Sequence, residues 1–491
     1  MSEPQENRKT RRHKPGHVRF ALAKQGRTGP RLGINPLSIN EELRRDLSAI
    51  KQQSRRAGND DGYVVKFLSM CETHIVGPEG FTYQSKAKLK SGKEDKRATS
   101  LIESHFAEWG KKGTCDVTGR YSWQDIQTLF TRTVAEDGEV LVRFVEGFPN
   151  RYGFALQLLD SAHLDINYNR ELKDGNRIRM GVELDGWDRP VAYHVLTQHP
   201  GDRVYFYGNT RYERIPASEM LLAFLPYRVG QCRGLPWAHA ALLEMHHLYG
   251  YREAELTGAR VAASKMFAYE PDSEVEPEDP DEEEPDFIEE VEPGMGIVVP
   301  YGYTLKELNW QHPGGNFGAF MKEGKRGAAS GLDVSYNTLA NDLEGVNFSS
   351  LRQAVLEDRD SWKKKQRWMR QELCDRVASL WLRMALLSGA IPQLKFSDYD
   401  RLNYHRFQGR RWEWVDPLKD EKANTEAINN MTKSPLQIIR DRGEDPETVI
   451  NELLEFEEMV TRIRKMRGKG QEKPQQDSEE DNAEGENPEA G

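Results

Sequence analysis

The chain has no long apolar run. Nowhere in its 491 residues do the ~18 consecutive apolar side chains of a membrane-spanning helix occur, so a protein of that kind is excluded. The N-terminus is basic with no apolar core behind it, and a secretory leader is not expected. Cysteine is scarce. Cys71, Cys115, Cys232 and Cys374 contain no CxxC pair and no zinc-ribbon spacing. They read as packed thiols in a chain made in a reducing, intracellular compartment.

The motifs of common chemistry are missing as well. There is no GxxxxGK[ST], so nucleotide hydrolysis by a P-loop is not expected. There is no GxGxxG after a strand and no GxSxG. His239, Glu244, His246 and His247 share a helical stretch without forming HExxH, and adjacent histidines point ~100° apart, a poor arrangement for chelation. Ser361 with Lys364, and Ser85 with Lys88, fit SxxK only because each lies in a lysine-rich stretch. No spacing singles out a catalytic carboxylate pair. Neither a metal nor a cofactor is expected.

What is present is charge in blocks. Residues 1–32 carry +7, residues 270–292 carry −14 and residues 470–491 carry −7. Taking these from the total of −10 leaves +4 on the body. The basic arm (Arg8, Lys9, Arg11, Arg12, Lys14, Arg19) is a candidate polyanion contact, with a solvated tail as the plainer reading. Pro271, Pro277, Pro280 and Pro285 forbid regular structure inside the acidic insert, which reads as a surface loop.

Between these blocks the periodicity alternates. A helical pattern runs from Asn40 to the stop at Val76-Gly77-Pro78, and another over 98–109. Ser122 and Asp125 form a capping box for a helix that Gly138 ends, and a strand follows over Val140–Val145. Residues 150–228 read as a β module. Ile178, Met180, Val182 and Leu184 form one strand that turns at Asp185-Gly186, with Val191, Tyr193 and Val195 returning. Tyr205, Tyr207 and the 219–226 run extend it. Pro236 suits the first position of a helix reaching about Ser264, and strand-like pieces return at 266–269 and 295–308. A helix of ~39 residues begins at Ser349/Ser350 and stops at Gly389; its Lys363–Arg367 patch, between Trp362 and Trp368, is a second candidate DNA contact, with a charged outer helix face as the plainer reading. Ser434-Pro435 and Asp445-Pro446 open two more helices. The residues alone thus describe an α+β protein with long helices and charged appendages, closer to an assembly subunit than to an enzyme.

Four stretches sharpen this. They are GLDVSYNTLANDLEGVNFSSLRQAVLEDRDSW (331–362), YRVGQCRGLPWAHAAL (227–242), RTVAEDGEVLVRF (132–144) and WVDPLKDEKA (414–423). In this order they resemble the portal proteins of tailed bacteriophages, the lambda-type family, over about Asn59–Glu458. Phe348 stands where that family usually has Tyr, and the 270–292 insert departs from its pattern. The resemblance implies an elongated α+β subunit with wing, stem, clip and crown, forming a ring, usually of twelve, at one capsid vertex. Double-stranded DNA would pass through it during packaging and ejection. The ring would seat the terminase large subunit and the head-tail connector, and would touch the major capsid protein or scaffold. It would belong to the virion after assembly in the host cytoplasm, with no membrane partner.

On this resemblance, 1–32 is a basic arm, 33–120 and 265–340 wing, 121–149 and 229–264 stem, and 150–228 clip. Residues 341–349 are the tunnel loop, 350–466 the long wing helix and crown, and 467–491 an acidic tail. The channel-facing residues would be Asn341, Asp342, Leu343, Glu344, Gly345, Val346, Asn347 and Phe348. A metal-dependent DNA-processing enzyme, or a monomeric nucleic-acid-binding protein using the arm, are the alternative readings.

Overall fold

The computed structural model describes residues 37–202, 211–263, 267–271, 299, 301–307, 316–412, 417–442 and 446–468. The basic arm, Tyr205 and Tyr207, nearly all of the acidic insert, Gly443, Asp445 and the acidic tail lie outside them.

The single helical pattern expected from Asn40 is two helices, α1 (Ile39–Asp60) and α2 (Gly62–Cys71), the second running on into a wide π turn over Glu72–Val76. Asp61 makes the break. Its backbone is extended and its carboxylate accepts the Tyr63 and Val64 amides, so one side chain both ends α1 and caps α2. β1 (Thr82–Ser85) and α3 (Lys96–Trp109) follow. α4 (Trp123–Asp137) starts in the Ser122–Asp125 capping box and ends at Gly138 in the left-handed region, as its sequence predicts.

β2 (Glu139–Glu146) is the centre of a three-stranded antiparallel sheet, between β3 (Phe154–Leu159) and a strand that returns much later. The intervening chain builds a five-stranded antiparallel meander: β4 (Arg170–Glu171), β5 (Arg177–Arg179), β6 (Val182–Leu184), β7 (Pro190–Leu196) and β8 (Tyr212–Pro216). The predicted strand through Ile178, Met180, Val182 and Leu184 is therefore a hairpin. Met180 and Gly181 both take positive φ and reverse the chain, and all four apolar side chains remain buried. The 219–226 run supplies β9 (Met220–Phe224), which pairs with β2 rather than with the meander.

Alternation along β2 and β9 divides two cores. Val140, Val142, Leu221 and Ala223 face a large core holding Phe106, Trp109, Phe130 and Trp381. Leu141, Met220 and Leu222 face a smaller one made by α1 (Leu43, Leu47), Leu164 and the meander (Val182, Tyr193). A strand buried on both faces has to be apolar at successive positions, which explains the unbroken Val140-Leu141-Val142 run.

α5 (Leu242–Ala263) begins six residues later than Pro236 suggests. The Trp237 amide donates to the Ala135 carbonyl at 3.1 Å, and tertiary packing holds 236–241 in turns. Next come β10 (Phe267–Pro271) and β11 (Tyr303–Glu307), paired antiparallel on either side of the acidic insert, then α6 (Phe317–Gly331) and α7 (Tyr336–Ala340). α8 (Phe348–Met369), a π turn over Arg370–Cys374, and α9 (Asp375–Leu387) form the long helix. α10 (Tyr399–Leu402) and β12 (His405–Gln408) follow, β12 pairing with β1. α11 (Pro417–Asn429), α12 (Pro435–Arg442) and α13 (Pro446–Gly468) complete the chain.

One joint binds the body to the meander. Glu139 is fully buried. Lys51 Nζ donates to its Oε1 at 2.6 Å, Arg233 Nη2 to the same oxygen at 2.6 Å, and the Gly234 amide to Oε2 at 2.6 Å. Arg233 also donates to the carbonyls of Leu164 (3.2 Å), Met180 (2.7 Å) and Ser161 (3.3 Å), so every direction of its fork is used. Next to it, Arg55 makes two 2.6 Å bonds to Asp137 and reaches Asp160 at 2.8 Å. The backbones touch here. A Cβ on Gly234 would stand 2.1 Å from the Gly138 carbonyl oxygen. Gly234→Ala is therefore expected to cost about 3 kcal/mol, read as a lower urea midpoint at unchanged slope. An unchanged midpoint would mean that the two segments separate freely.

Candidate channel loop

The loop between α7 and α8 is short and fastened at both ends. Asn341 ends α7 in the left-handed region (φ 52°), which asparagine tolerates better than most residues. At the other end Asn347 is the cap: its side chain accepts the Ser350 amide at 2.7 Å, and α8 starts at Phe348. The predicted cap at Ser349/Ser350 is thus displaced, because Asn347 has the extended backbone that a capping side chain needs and both serines are already inside the helix.

Asp342 anchors the loop from within. It accepts from the Tyr336 hydroxyl at 2.7 Å and from the Glu344 amide at 3.1 Å, and pairs with Lys322 of α6 at 3.2 Å. These contacts, the Tyr336 bond foremost, hold its carboxyl down to about 2. Burial, then Asp342, pushes the Tyr336 phenol up to about 12. Lys322 and Arg326 lie 6.0 and 5.7 Å from the Tyr336 ring centre, a cationic backing for the anchor. Leu343 is 62% exposed, Glu344 is exposed, and Gly345 has positive φ with open space around it. Val346 is half-buried. Of the two acids expected to face a channel, then, Asp342 is committed to its own subunit, and Glu344 presents its charge outward.

The base of the loop is braced against α8. Asp358 accepts from the Ser335 amide (2.9 Å) and hydroxyl (2.7 Å), and Asp333 accepts from Lys365 at 3.0 Å. Lys365 is buried and lies 4.7 Å from the centre of the Trp362 ring. The Lys363–Arg367 patch is accordingly split. Lys365 and Trp362 turn inward as structure, while Lys363, Lys364 and Arg367 stay at the surface. Arg8, Lys9, Arg11, Arg12 and Lys14 are outside the described residues, and the structure places none of them with the loop.

Burial pushes the Cys71 and Cys115 thiols up to about 12 and Cys232 to about 11, so these thiols are inert packing groups. Among the described residues no group of three or more His, Cys, Asp or Glu is set to hold a metal ion, and no helix is long and apolar enough to cross a membrane. The Tyr336–Asp342–Lys322 anchor and the Glu139–Arg233 joint escape sequence reading. Their one trace is charge placed where apolar residues would be expected, as at Glu139 ahead of Val140-Leu141-Val142.

Comparison with known proteins bears out the family resemblance, and three of the four stretches lie inside the matched region. The family described as "Phage portal protein, lambda family" matches residues 27–366. The chain is 40% identical over 416 residues to a "Probable portal protein" of Halomonas phage phiHAP-1, covering 84% of this chain and 80% of that one. Among solved structures it is similar to a chain in the neck of an empty gene transfer agent particle computed with C6 symmetry, at 11% identity and TM-score 0.45, covering 82% of this chain and 94% of that one. A chain in the native neck computed with C12 symmetry scores 0.44 at 11% identity, with the same coverage.

Proposed function

Because the chain belongs to the lambda family of phage portal proteins, we propose that it closes into a ring, of twelve copies, at one vertex of a capsid. Double-stranded DNA passes through the ring during packaging and ejection. The ring seats the terminase large subunit and later the head-tail connector, and contacts the major capsid protein or scaffold. On this reading α4 and α5 are stem, the meander is clip, α11 to α13 are crown, and 341–348 line the channel. It acts as a structural part of the virion, assembled in the host cytoplasm.

Apolar surface that one subunit leaves uncovered carries the ring reading. On α5, Leu243 is 67% and Leu256 52% exposed. On α13, Leu453, Leu454, Phe456, Met459 and Ile463 are each at least half exposed. At ~25 cal/mol per Å2 of apolar surface, two such helices are costly to leave in water, and neighbouring copies would cover them. The loop supports the channel reading: a stiff, capped turn presenting one carboxylate per subunit repels phosphates weakly and offers them no place to stick.

Negative-stain imaging of the purified chain tests the ring. A closed annulus with a central opening is expected, and monodisperse monomers would reject the reading. Residues 33–469 should suffice for assembly, since both removed ends lack periodic apolar residues. The truncated chain is expected to sediment as the full ring does. Removing 446–491 instead takes α13 away and should shift sedimentation to smaller species.

A further inference from the structure

Away from the loop, the long helix carries a second concentration of charge. Arg359, Lys363, Arg367 and Arg370 follow one another at steps of four, four and three, so they form one row on one face of the helix. At 1.5 Å per residue the row is roughly 16 Å long. Opposite stands a second row, Arg406 on β12 with Arg410 and Arg411 just beyond it. Both rows line one open trough of about 470 Å3 with Phe81, Phe407 and Trp412, and no carboxylate lines it. From the rim, Asp360 lies 2.9 Å from Lys363 and Asp375 3.9 Å from Arg370. An adjoining hollow shares Arg359, Arg410 and Arg411 and adds Glu79.

Such an array is unfavourable for folding alone, because like charges at four-residue spacing on a helix repel. The positive field shows in its neighbours. Burial and then Arg410 pull the Arg359 guanidinium below its ordinary value. Burial, followed by Arg410, Lys66 and Arg359, holds His74 down to about 4. The rows are also held in place. Arg410 donates to the Thr73 carbonyl, and Gln366 donates to the Arg410 carbonyl at 2.9 Å and to those of His74 and Ile75 at 3.1 and 3.2 Å.

We propose that this trough is a seat for the phosphodiester backbone of double-stranded DNA on the outer surface of the subunit, separate from the channel loop. Six of its seven cations are arginines, whose planar forks match phosphate oxygens in pairs. A duplex strand offers a phosphate every 3.4 Å along its axis, so a 16 Å row faces about five of them. The other polyanion at hand is the chain's own acidic insert. A row fixed on a helix, faced by Arg406 on a strand and by Arg410 held through its carbonyl and its fork, suits a stiff duplex better than a flexible peptide. The assignment does not depend on DNA threading the channel.

The test compares covalently closed plasmid with linear duplex of equal length, each titrated against the purified, assembled chain. A closed circle cannot thread a preformed ring, so the proposal expects equal binding of both. The double reversal Arg367→Glu with Arg406→Glu, at two exposed positions, should weaken binding of both forms about tenfold at 0.1 M salt. It should also make the slope of log K against log salt shallower by about two. The Arg367→Lys with Arg406→Lys chain should stay close to wild type, which separates lost charge from lost fold. Binding of linear DNA alone, or an unaltered affinity and slope in the reversed variant, would overturn the assignment. So would a wild-type chain that binds no duplex and takes a peptide of residues 270–292 in its place.

Discussion

Glu139→Gln should lower the stability of the subunit by about 3–5 kcal/mol, among the largest losses expected of any single substitution in the body. The side chain occupies the same volume, so packing is not the cause. The change removes the one negative charge that Lys51 and Arg233 share while both remain buried. A buried ion pair contributes little net stability while intact, because desolvating the charges consumes most of their attraction, but breaking it strands a cation with nothing to replace water. Burial alone would raise the Glu139 carboxyl; Arg233 and then Lys51 outweigh it and hold the group down to about 2. A carboxyl held below its ordinary 4.5 contributes fully above that value and loses its contribution as pH falls toward about 2. Denaturant unfolding followed from pH 7 to 3 should show the wild type losing stability at the acid end, with the variant flatter there. A variant as stable as the wild type at pH 7 would show that water reaches the joint.

Glu344→Lys is expected to cut packaged genome per particle roughly tenfold, with rings still forming, since tight phosphate contacts bind DNA strongly. The substitution changes each subunit by two charge units at a position whose own side chain makes no described hydrogen bond or ion pair, its amide alone being tied to Asp342, and in the proposed ring the change is repeated around the opening. Asp342→Lys is a different experiment. It would break the Tyr336 and Lys322 contacts and set two ammonium groups together, so it reports on loop structure before it reports on DNA. Packaged DNA per particle measures the first variant, with ring assembly checked by sedimentation. Normal packaging by Glu344→Lys would reject the placement of this loop in the channel.

The elements legible in the sequence are those whose causes are local. Ser122, Asp125 and Gly138 act within three residues of the helix ends they govern, so their spacing alone places α4. Ser434 and Pro435 do the same for α12, where the Ser434 hydroxyl accepts the Gln437 amide. Sequence pattern and structure part where distant contacts outweigh local preference. Pro236 is a good helix start, but the Trp237 bond to Ala135 keeps the chain in turns as far as Leu242. Met180 alternates like a strand residue, yet Gly181 packs against Leu164 and lets the chain reverse. Asn347, Ser349 and Ser350 are all good caps, and only the backbone chooses between them. The joint and the trough were invisible for a plainer reason: Glu139 and Arg233 are 94 residues apart, and the two rows of the trough come from separate segments, so no periodicity connects them. Two of the quoted stretches, 132–144 and 227–242, nevertheless meet at that joint.

The pairing of β2 with both β3 and β9 has a consequence for modularity. Leu141 lies opposite Leu159 on one side and Leu222 on the other. With strands ~4.8 Å apart, the chain leaves the body and re-enters it about 10 Å away. Everything from Asp160 to Glu219 hangs from that narrow neck as an insertion whose ends are already together. Its outward face can be altered without redrawing the large core on the other side of β2 and β9, provided the residues that pack on α1 and accept Arg55 and Arg233 are kept. The surface it presents can therefore diverge at its own rate, while the part of the subunit built around Trp109 and Trp381 keeps its shape.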